Sequence, residues 1–410
     1  MHSSELKAGP VWLDRTTPPH ILTLVLMTGV AALNMNIILP SLPSLSAHFG
    51  ASYAVVQLAV SAYLALTAGL QLIIGPLSDR YGRRPVMLGA FGIFLAATVG
   101  CILAPTIEVF LACRLAQATV ASAIALSRAV VRDTVGPDEA ASRIGYVTMG
   151  MAVAPMIGPM IGGFLDQALG WQAVLWTTLG FGVVVTWLIW ADLGETNTHM
   201  SASFGAQFRA YPELARSRRF WGYSATAAFA SGAFFAFLGG GPYVATEILG
   251  MSPATLGFYF GFIAFGYMLG NYLSGRFSAQ MGMNRMMLAG TVVSTAGMGA
   301  GLGLFTAGLQ TPLSFFLPIL FVGLGNGLTL PSANAGMVSV RPHLAGSASG
   351  LGGALMIGGG AALSATAGAL IGPDTGAWPL LLIMFASSGL AIVSTLDVIR
   401  TARLRGELGR

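Results

Sequence analysis

A short basic segment decides the fold, and it reads Gly75-Pro76-Leu77-Ser78-Asp79-Arg80-Tyr81-Gly82-Arg83-Arg84-Pro85. It separates two apolar runs, 53–75 and 86–105. Each run is long enough to cross a bilayer, which takes about 20 apolar residues. Cationic segments between spans are retained on the cytoplasmic side of a membrane. The stretch therefore predicts two membrane helices joined by a cytoplasmic loop.

The same alternation of apolar runs and short polar gaps covers the whole chain. Hydrophobic residues make up 55% of it and charged residues only 9%, whereas a soluble domain has roughly 25% charged residues. The composition predicts an all-α membrane protein. Twelve stretches qualify as spans: 21–43, 53–75, 86–105, 107–131, 143–165, 172–191, 220–242, 253–275, 286–308, 313–336, 343–370 and 377–399.

One long polar gap divides these spans into two sets of six. The second half repeats the basic device of the first in a weaker form, at 275–282 between the eighth and ninth spans. Two similar halves with a central substrate site are a transporter architecture. The predicted organisation is an N-terminal tail 1–20, a bundle 21–191, a linker 192–219, a second bundle 220–399 and a C-terminal tail 400–410.

The cations predict the orientation. Every lysine and arginine except Arg114 and Arg128 falls at a terminus or in alternate loops. This Lys/Arg bias places both termini in the cytoplasm of a bacterial inner membrane. It also explains the formal net charge of +5 without a nucleic-acid partner. Cys101 and Cys113 fall within spans and are expected to pack as small apolar residues, so neither a disulfide nor a metal site is predicted.

Several motifs resemble one transporter family. The Gly75–Pro85 segment is similar to the G-x-L-x-D-R-x-G-R-R/K motif of the major facilitator superfamily. Gly158-Pro159-Met160-Ile161-Gly162-Gly163 resembles the G-P-x-x-G-G of drug–proton antiporters, and Arg114-Leu115-Ala116-Gln117 resembles R-x-x-Q-G. Pro40-Ser41-Leu42-Pro43 and Gln71 look most like the Bcr/CflA-type drug-resistance branch. The resemblance implies a major facilitator fold, with twelve transmembrane helices in two pseudo-symmetric bundles.

The resemblance also implies a latch at the inner gate. In the family the motif aspartate faces the start of helix 11 when the carrier is open outward, and the motif arginine binds an acid at the end of helix 4. On this chain those residues are Asp79, Arg83 and Asp133. Solvated charges that only set topology are the alternative.

Arg114 is the most unusual charge, because it lies inside the fourth span. An intramembrane arginine normally faces a cavity or a partner. The antiporters that the chain resembles place a proton-binding aspartate opposite it in helix 1, where this chain has Asn36, and an amide cannot titrate. Either Arg114 faces a solvent-reachable cavity and binds an anionic substrate, or it is structural and bonds Asn36, Gln71 or backbone carbonyls.

The predicted substrate site surrounds Arg114. By resemblance, helices 1, 4, 7 and 10 line the cavity, with helices 2, 5, 8 and 11 at its sides. Sites of this kind combine apolar walls with a few polar groups. The candidates are Asn36, Tyr63, Gln71, Arg114, Met149, Phe229, Phe234, Tyr267 and Asn326, with Phe235, Tyr259, Asn271 and Asn334 as further neighbours.

These features predict a secondary transporter of small amphipathic molecules that works by alternating access. By resemblance it is a multidrug or metabolite efflux pump; the alternative is a facilitator, or a differently coupled carrier, of an anionic or zwitterionic metabolite. The spans contain no catalytic constellation of an enzyme, and no ATP-binding loop occurs. No cofactor is predicted, and coupling to the proton motive force stays open. The expected partners are a small-molecule substrate and the lipid bilayer, and the chain is expected to be a monomer.

Overall fold

The computed structural model describes residues 11–135, 137–197, 211–341 and 344–404. Within these ranges the chain is helical and contains no β-strand. Twelve long helices follow one another with short connections. They are α1 Ile21–Phe49, α2 Tyr53–Tyr81, α3 Arg83–Ile102, α4 Ile107–Thr134, α5 Pro137–Leu169, α6 Trp171–Asp192, α7 Arg218–Ile248, α8 Pro253–Met281, α9 Met283–Thr306, α10 Pro312–Ser339, α11 Ala345–Leu370 and α12 Trp378–Leu404.

The twelve helices correspond one to one to the twelve predicted spans. Eleven of them are long and apolar enough to cross a membrane by the hydropathy of the described residues. The remaining predicted span, 143–165, lies within α5, whose 33 residues exceed the roughly 20 that a crossing needs. The all-α prediction with two sets of six helices is confirmed.

The basic segment between α2 and α3 is helical, so the predicted loop is wrong. Helix α2 continues through Pro76 to Tyr81, and α3 begins at Arg83. Only Gly82 separates them, with φ +95°, a backbone conformation that only glycine adopts without strain. Gly282 has φ +80° between α8 and α9. The two halves therefore repeat the same one-residue turn, although their sequences around it have diverged.

Three apolar cores show how the two bundles meet. We define the terminal face as the side of the molecule where α12 ends. The other side is called the opposite face. At the opposite face one core contains residues of both halves, such as Leu42, Tyr53, Phe237 and Leu380. Near the terminal face, one core contains only residues of the first half and another only residues of the second. The bundles are thus joined at the opposite face.

Hydrogen bonds between the halves reinforce this closure. The hydroxyl of Tyr53 donates to the carbonyl of Gly239 at 3.0 Å, and Nε2 of Gln57 donates to the carbonyl of Ser364 at 2.8 Å. Both bonds cross the boundary in buried surroundings, where a lost partner would leave a costly unpaired group.

The start of the connection between the halves is packed onto the first bundle. Asp192 is fully buried, and its carboxylate accepts hydrogen bonds from the backbone N–H of Leu13, at 2.8 Å, and of His20, at 2.9 Å, and from the hydroxyl of Thr23 at 2.6 Å. A carboxylate at this position accepts hydrogen bonds from N–H groups near the start of α1 that have no partner within the helix. Residues 11–20, expected as a tail, therefore belong to the first bundle.

The paired glycine turns allow a controlled test of backbone strain. A Cβ on Gly82 would collide with the Glu195 carboxylate, whereas a Cβ on Gly282 would meet no atom within 4 Å. Each Gly→Ala change should cost about 1–3 kcal/mol for the positive φ, and Gly82→Ala should cost more because it also displaces Glu195. Thermal unfolding of the purified variants in micelles measures the difference, and an equal loss in both variants would contradict it.

Candidate functional site

Arg114 is buried inside the first bundle. Only 1% of the residue is exposed, and it lies seven residues from the start of α4, or about 10 Å along the helix. Directly after it, α4 tightens into a 3₁₀ turn at Gln117–Ala121. The side chain is therefore held at membrane depth by a helix that is locally irregular on its C-terminal side.

Neutral groups of three helices accept four hydrogen bonds from the guanidinium. Its Nη1 donates to Oδ1 of Asn34 at 3.0 Å and to Oε1 of Gln117 at 2.7 Å. Its Nη2 donates to the carbonyl of Asn34 at 2.9 Å, and its Nε donates to the carbonyl of Ala59 at 3.2 Å. The helices are α1 for Asn34, α2 for Ala59 and α4 itself. One side chain thus ties three helices together.

Tyr63 completes the enclosure. The guanidinium carbon lies 4.4 Å from the centre of the Tyr63 ring, a cation–π contact that can contribute about 2 kcal/mol when desolvated. The Tyr63 hydroxyl in turn accepts a hydrogen bond from the amide of Asn34 at 3.2 Å. Sequence analysis placed Tyr63 and Arg114 in one site, and the structure brings them together.

The network extends to a fourth helix through Gln117. Its Nε2 donates to the hydroxyl of Thr98 on α3 at 2.8 Å, and Thr98 donates to the carbonyl of Phe94 at 2.7 Å. Gln117 belongs to the R-x-x-Q motif. The spacing of three residues places Gln117 and Arg114 on the same face of α4. This spacing is the sequence signal from which the contact could have been predicted.

The structure corrects the expected partner of Arg114 in α1. Asn34 binds the guanidinium, whereas the amide of Asn36 donates to the carbonyl of Ala32 in its own helix at 2.7 Å. Two residues along a helix turn the side chain by about 200°, so only one of the two asparagines can face α4. The α-helical part of α1 ends at Asn36, and its last carbonyls need other partners; Arg114 binds the carbonyl of Asn34.

One interpretation of the sequence required Arg114 to face a solvent-reachable cavity. The structure does not show this. Arg114 is enclosed and bonded to neutral groups, which is the structural alternative. Four charged residues are buried in the described part of the chain: Arg83, Arg114, Asp166 and Asp192. Asp166 lies near the end of α5 at the opposite face, and Asp192 lies at the end of α6. Neither contributes a carboxylate to the hydrogen bonds of Arg114.

The other predicted substrate residues do not join this cluster. Gln71 lies where α2 meets α11, beside Gly353. Phe229 and Phe234 are half-buried on α7, and Tyr267 is half-buried on α8. Met149 lies on α5, but its side chain falls outside the described part of the structure. Gln71, Phe229, Phe234 and Tyr267 are not among the hydrogen-bond or ring partners of Arg114 in the described part of the structure.

Asn326 also lies apart from the Arg114 cluster, but it differs from the other candidates because it is polar, buried and incompletely bonded. It lies on α10 with 4% of its surface exposed, and its Oδ1 has no hydrogen-bond partner among the described residues. Most buried polar atoms in proteins are paired. Asn326 therefore gives the second bundle a buried hydrogen-bond acceptor that has no partner among the described residues.

A second charged cluster lies at the terminal face, and it contains the predicted latch. Arg83 forms ion pairs with Asp79 and with Asp133, whose Oδ2 lies 3.0 Å from the Arg83 Nε. The three predicted residues are therefore in contact. They join the end of α2, the start of α3 and the end of α4, so the cluster fixes three helix ends of one bundle.

Sequence analysis missed the segment 193–197, which completes this cluster. The carboxylate of Glu195 accepts hydrogen bonds from the backbone N–H of Arg83 at 2.8 Å and of Arg84 at 3.1 Å, where the α3 dipole favours negative charge. The amide of Asn197 donates to the carbonyl of Asp79 at 2.9 Å. The first residues of the linker thus cap the end of α2 and the start of α3 together.

Two six-helix bundles, each with the same internal turn, form the fold of a secondary membrane transporter. The Major Facilitator Superfamily profile matches residues 24–365. The chain therefore belongs to the major facilitator superfamily and is a multi-pass membrane protein, as its motifs predicted.

Its relatives include drug-resistance proteins. The chain is 32% identical to the MFS-type transporter YdgK of Bacillus subtilis (strain 168) over 389 residues, covering 92% of this chain and 95% of that protein. It is 29% identical to a chloramphenicol resistance protein of Pseudomonas aeruginosa, covering 92% and 90%, and 28% identical to multidrug resistance protein D of Escherichia coli (strain K12), covering 91% and 93%. These relatives agree with the predicted drug–proton antiporter branch.

Solved structures share the fold. A bacterial homologue of the human lysosomal transporter Spinster, in an inward-facing and unoccupied conformation, superposes with a TM-score of 0.69 at 18% identity, over 93% of this chain and 96% of that one. A D-xylose–proton symporter superposes with a TM-score of 0.72 at 14% identity, over 92% and 96%.

The two asparagines of α1 provide a matched test of the Arg114 network. Asn34→Ala removes an acceptor of a charged donor, which costs about 1.5–3 kcal/mol, whereas Asn36→Ala removes a neutral bond worth about 0.5–1.5 kcal/mol. Both asparagines are 1% exposed, so burial does not distinguish them. We expect the thermal midpoint in micelles to fall at least twice as far for Asn34→Ala; a larger fall for Asn36→Ala would contradict the assignment.

Proposed function

We propose that this chain exports small amphipathic drugs or metabolites across the bacterial inner membrane. The observation that carries the proposal is its similarity, over nine-tenths of its length, to a chloramphenicol resistance protein and to multidrug resistance protein D. The apolar and aromatic side chains between the bundles suit amphipathic substrates, and the unpaired Oδ1 of Asn326 offers such a substrate a polar contact.

We further propose that the terminal face lies in the cytoplasm, with both termini there, and that the protein acts as a monomer. The arginines support the orientation, because the helix ends and connections of the terminal face carry Arg80, Arg84, Arg216 and Arg341 among others, and cationic segments between spans are retained inside. In this orientation the joined opposite face is the outer face. The structure then corresponds to a carrier closed to the outside.

Transport in this proposal proceeds by rocking of the two bundles about a midplane site, the mechanism that repeated halves support. The apolar core and the Tyr53 and Gln57 hydrogen bonds must separate at the outer face. The Asp79–Arg83–Asp133 cluster then acts as the inner latch: when the inner ends approach, Asp79 is available to the positive start of α11. Its side chain is 43% exposed, which leaves it free to take a second partner.

Resistance tests the export proposal and the latch together. In an efflux-deficient bacterial host, the wild-type chain should raise the inhibitory concentration of chloramphenicol or of another amphipathic drug at least fourfold. Asp79→Ala should abolish that gain at equal membrane abundance, because the outward-open state loses its inner contact. Asp374→Ala, which removes an exposed acid at the opposite face, is the matched control and should retain resistance.

This assay distinguishes a failure of the export proposal from a failure of the latch proposal. No resistance from the wild-type chain across a panel of neutral, cationic and anionic drugs would rule out drug export. Full resistance from Asp79→Ala would rule out the latch and leave export standing.

A second candidate function is a facilitator, or a carrier coupled differently, for an anionic or zwitterionic metabolite. Asn36 favours it, because the acid that binds the proton in similar antiporters is replaced by an amide that cannot titrate. We propose that the wild-type chain therefore couples poorly to a pH gradient. The burial of Arg114 among neutral partners gives the substrate anion no access to that guanidinium in the state described.

Liposomes with an imposed pH gradient test the coupling. Asn36→Asp should accumulate substrate against its gradient, and the wild type should only equilibrate it, because the aspartate restores a group that binds and releases a proton. Asn36→Gln controls for side-chain size without charge. Strong accumulation by the wild type, abolished by a protonophore, would contradict the proposal and indicate another proton site.

A further inference from the structure

Arg128 is a charged side chain that neither the Arg114 network nor the latch uses. It lies on α4, six residues before the helix ends at Thr134, or about 9 Å from that end. It is half-buried, and in the described part of the chain it forms no hydrogen bond and no ion pair. An arginine at membrane depth normally faces a partner or a water-filled cavity, so Arg128 needs one or the other.

The charged group that acts on Arg128 is a second arginine. Arg132 lies one turn further along α4 and repels it. Four residues turn a helix by about 400°, so the two side chains leave α4 within about 40° of each other. Arg132 likewise has no hydrogen-bond or ion-pair partner among the described residues. Like charges at this spacing destabilise a helix, and in the described part of the chain no carboxylate is in contact to offset them.

The α4 arginine pair, Arg128 and Arg132, is distinct from the latch on the same helix. The latch carboxylate is that of Asp133, which binds Arg83 of α3. Asp133 is five residues after Arg128, and five residues turn a helix by about 500°. The side chain of Arg128 therefore leaves α4 about 140° away from that of Asp133, on a different side of the helix.

The packing of α4 indicates what this side of the helix faces. The second half of α4, Ser122–Thr134, packs against α1, α2, α3 and α5 of its own bundle. It presents no exposed large apolar residue, although all its residues are described, whereas α3 and α6 present residues such as Ile93 and Val183, each about half exposed. Near the terminal face the two bundles have separate apolar cores. These observations favour the space between the bundles over the lipid as the surroundings of Arg128.

The chemistry of the pair indicates the kind of ligand. The planar fork of a guanidinium binds two oxygens of one anionic group, such as a carboxylate, through parallel hydrogen bonds. A bound anion would also offset the repulsion between the two arginines, and a cleft with charges of one sign raises the local concentration of the opposite ion. A neutral molecule gains neither effect. Arg114 cannot supply this contact in the state described, because it is enclosed by its own partners.

We propose that Arg128, with Arg132 beside it, binds the anionic group of an amphipathic substrate between the bundles and gives the carrier a preference for organic anions. The proposal rests on the proposed function, because it requires substrates to pass between the bundles. It assigns to the α4 arginine pair the anion contact that the sequence suggested for Arg114.

Binding of two matched probes to the purified full-length protein in micelles tests the proposal. 2-Naphthalenesulfonate and 2-naphthalenesulfonamide share one ring system, and only the sulfonate is charged at pH 7. Isothermal titration calorimetry should show that the wild type binds the sulfonate at least tenfold more tightly than the sulfonamide. Arg128→Gln should weaken sulfonate binding about tenfold, because a fork and a charge are lost, and should affect sulfonamide binding much less.

Two further variants separate the fork, the charge and the fold. Arg403→Gln is the matched control: it removes the same charge from an exposed arginine near the end of α12, and sulfonate binding should change less than twofold. Arg128→Lys keeps the charge without the fork, so an intermediate loss is expected. Since Arg128 has no described partner to lose, Arg128→Gln should unfold at a thermal midpoint no lower than that of the wild type.

Several outcomes would overturn the proposal. They are equal binding of the two probes by the wild type, or equal loss of sulfonate binding in Arg128→Gln and Arg403→Gln. Unchanged sulfonate binding in Arg128→Gln, with weaker binding of phosphatidylglycerol, would also overturn it and assign the arginine to a lipid headgroup. The export proposal is decided separately by resistance to chloramphenicol, which is neutral. A wild-type chain that prefers the sulfonate but confers no resistance would uphold the anion site and reject drug export.

Discussion

A buried guanidinium constrains the whole first bundle. Moving a cation out of water is costly, and its charge is tolerated where hydrogen bonds and other favourable contacts replace the lost water. Arg114 meets this requirement with the side chain and carbonyl of Asn34, the carbonyl of Ala59, the amide of Gln117 and the ring of Tyr63. None of these partners is charged. The positions of α1, α2 and α4 are therefore coupled, because displacing any of them leaves buried polar groups unpaired, at about 1–3 kcal/mol each.

The two bundles repeat their turns but not their buried polar groups. Gly50 and Gly250, and likewise Gly82 and Gly282, adopt the same positive φ at corresponding connections, since a tight reversal between helices requires a backbone that only glycine adopts freely. The Arg114 network belongs to the first bundle alone. The second bundle contributes Asn326, whose Oδ1 is unpaired. The Arg114 network thus has no counterpart in the second bundle, where the buried Asn326 is incompletely bonded among the described residues.

Different interactions stabilise the two faces, and this difference suits a carrier. Apolar side chains of both halves form one core at the opposite face, and such contact is strong but not directional. At the terminal face each half has its own apolar core, and ion pairs and helix caps, which are directional, join the ends of α2, α3 and α4. The segment 193–197 joins these caps to the linker between the bundles.

Sequence alone determined the class, the number of spans and the family. The length of an apolar segment decides whether it can cross a bilayer, and cationic segments decide its orientation. The motifs that identify the family are likewise local patterns. Through the family resemblance the sequence also grouped Asp79, Arg83 and Asp133, and it listed Tyr63 and Arg114 among the candidates for one site. Tertiary structure alone decided which asparagine of α1 meets Arg114, since the rotation of a helix about its axis is fixed only by its neighbours. It alone showed Glu195 and Asn197 at the helix ends, because a polar segment acquires a role only when folding brings distant backbone groups to it. The enclosure of Arg114 was likewise decided by packing: the sequence fixes how deep a residue lies in its helix, and the neighbouring helices fix whether water reaches it.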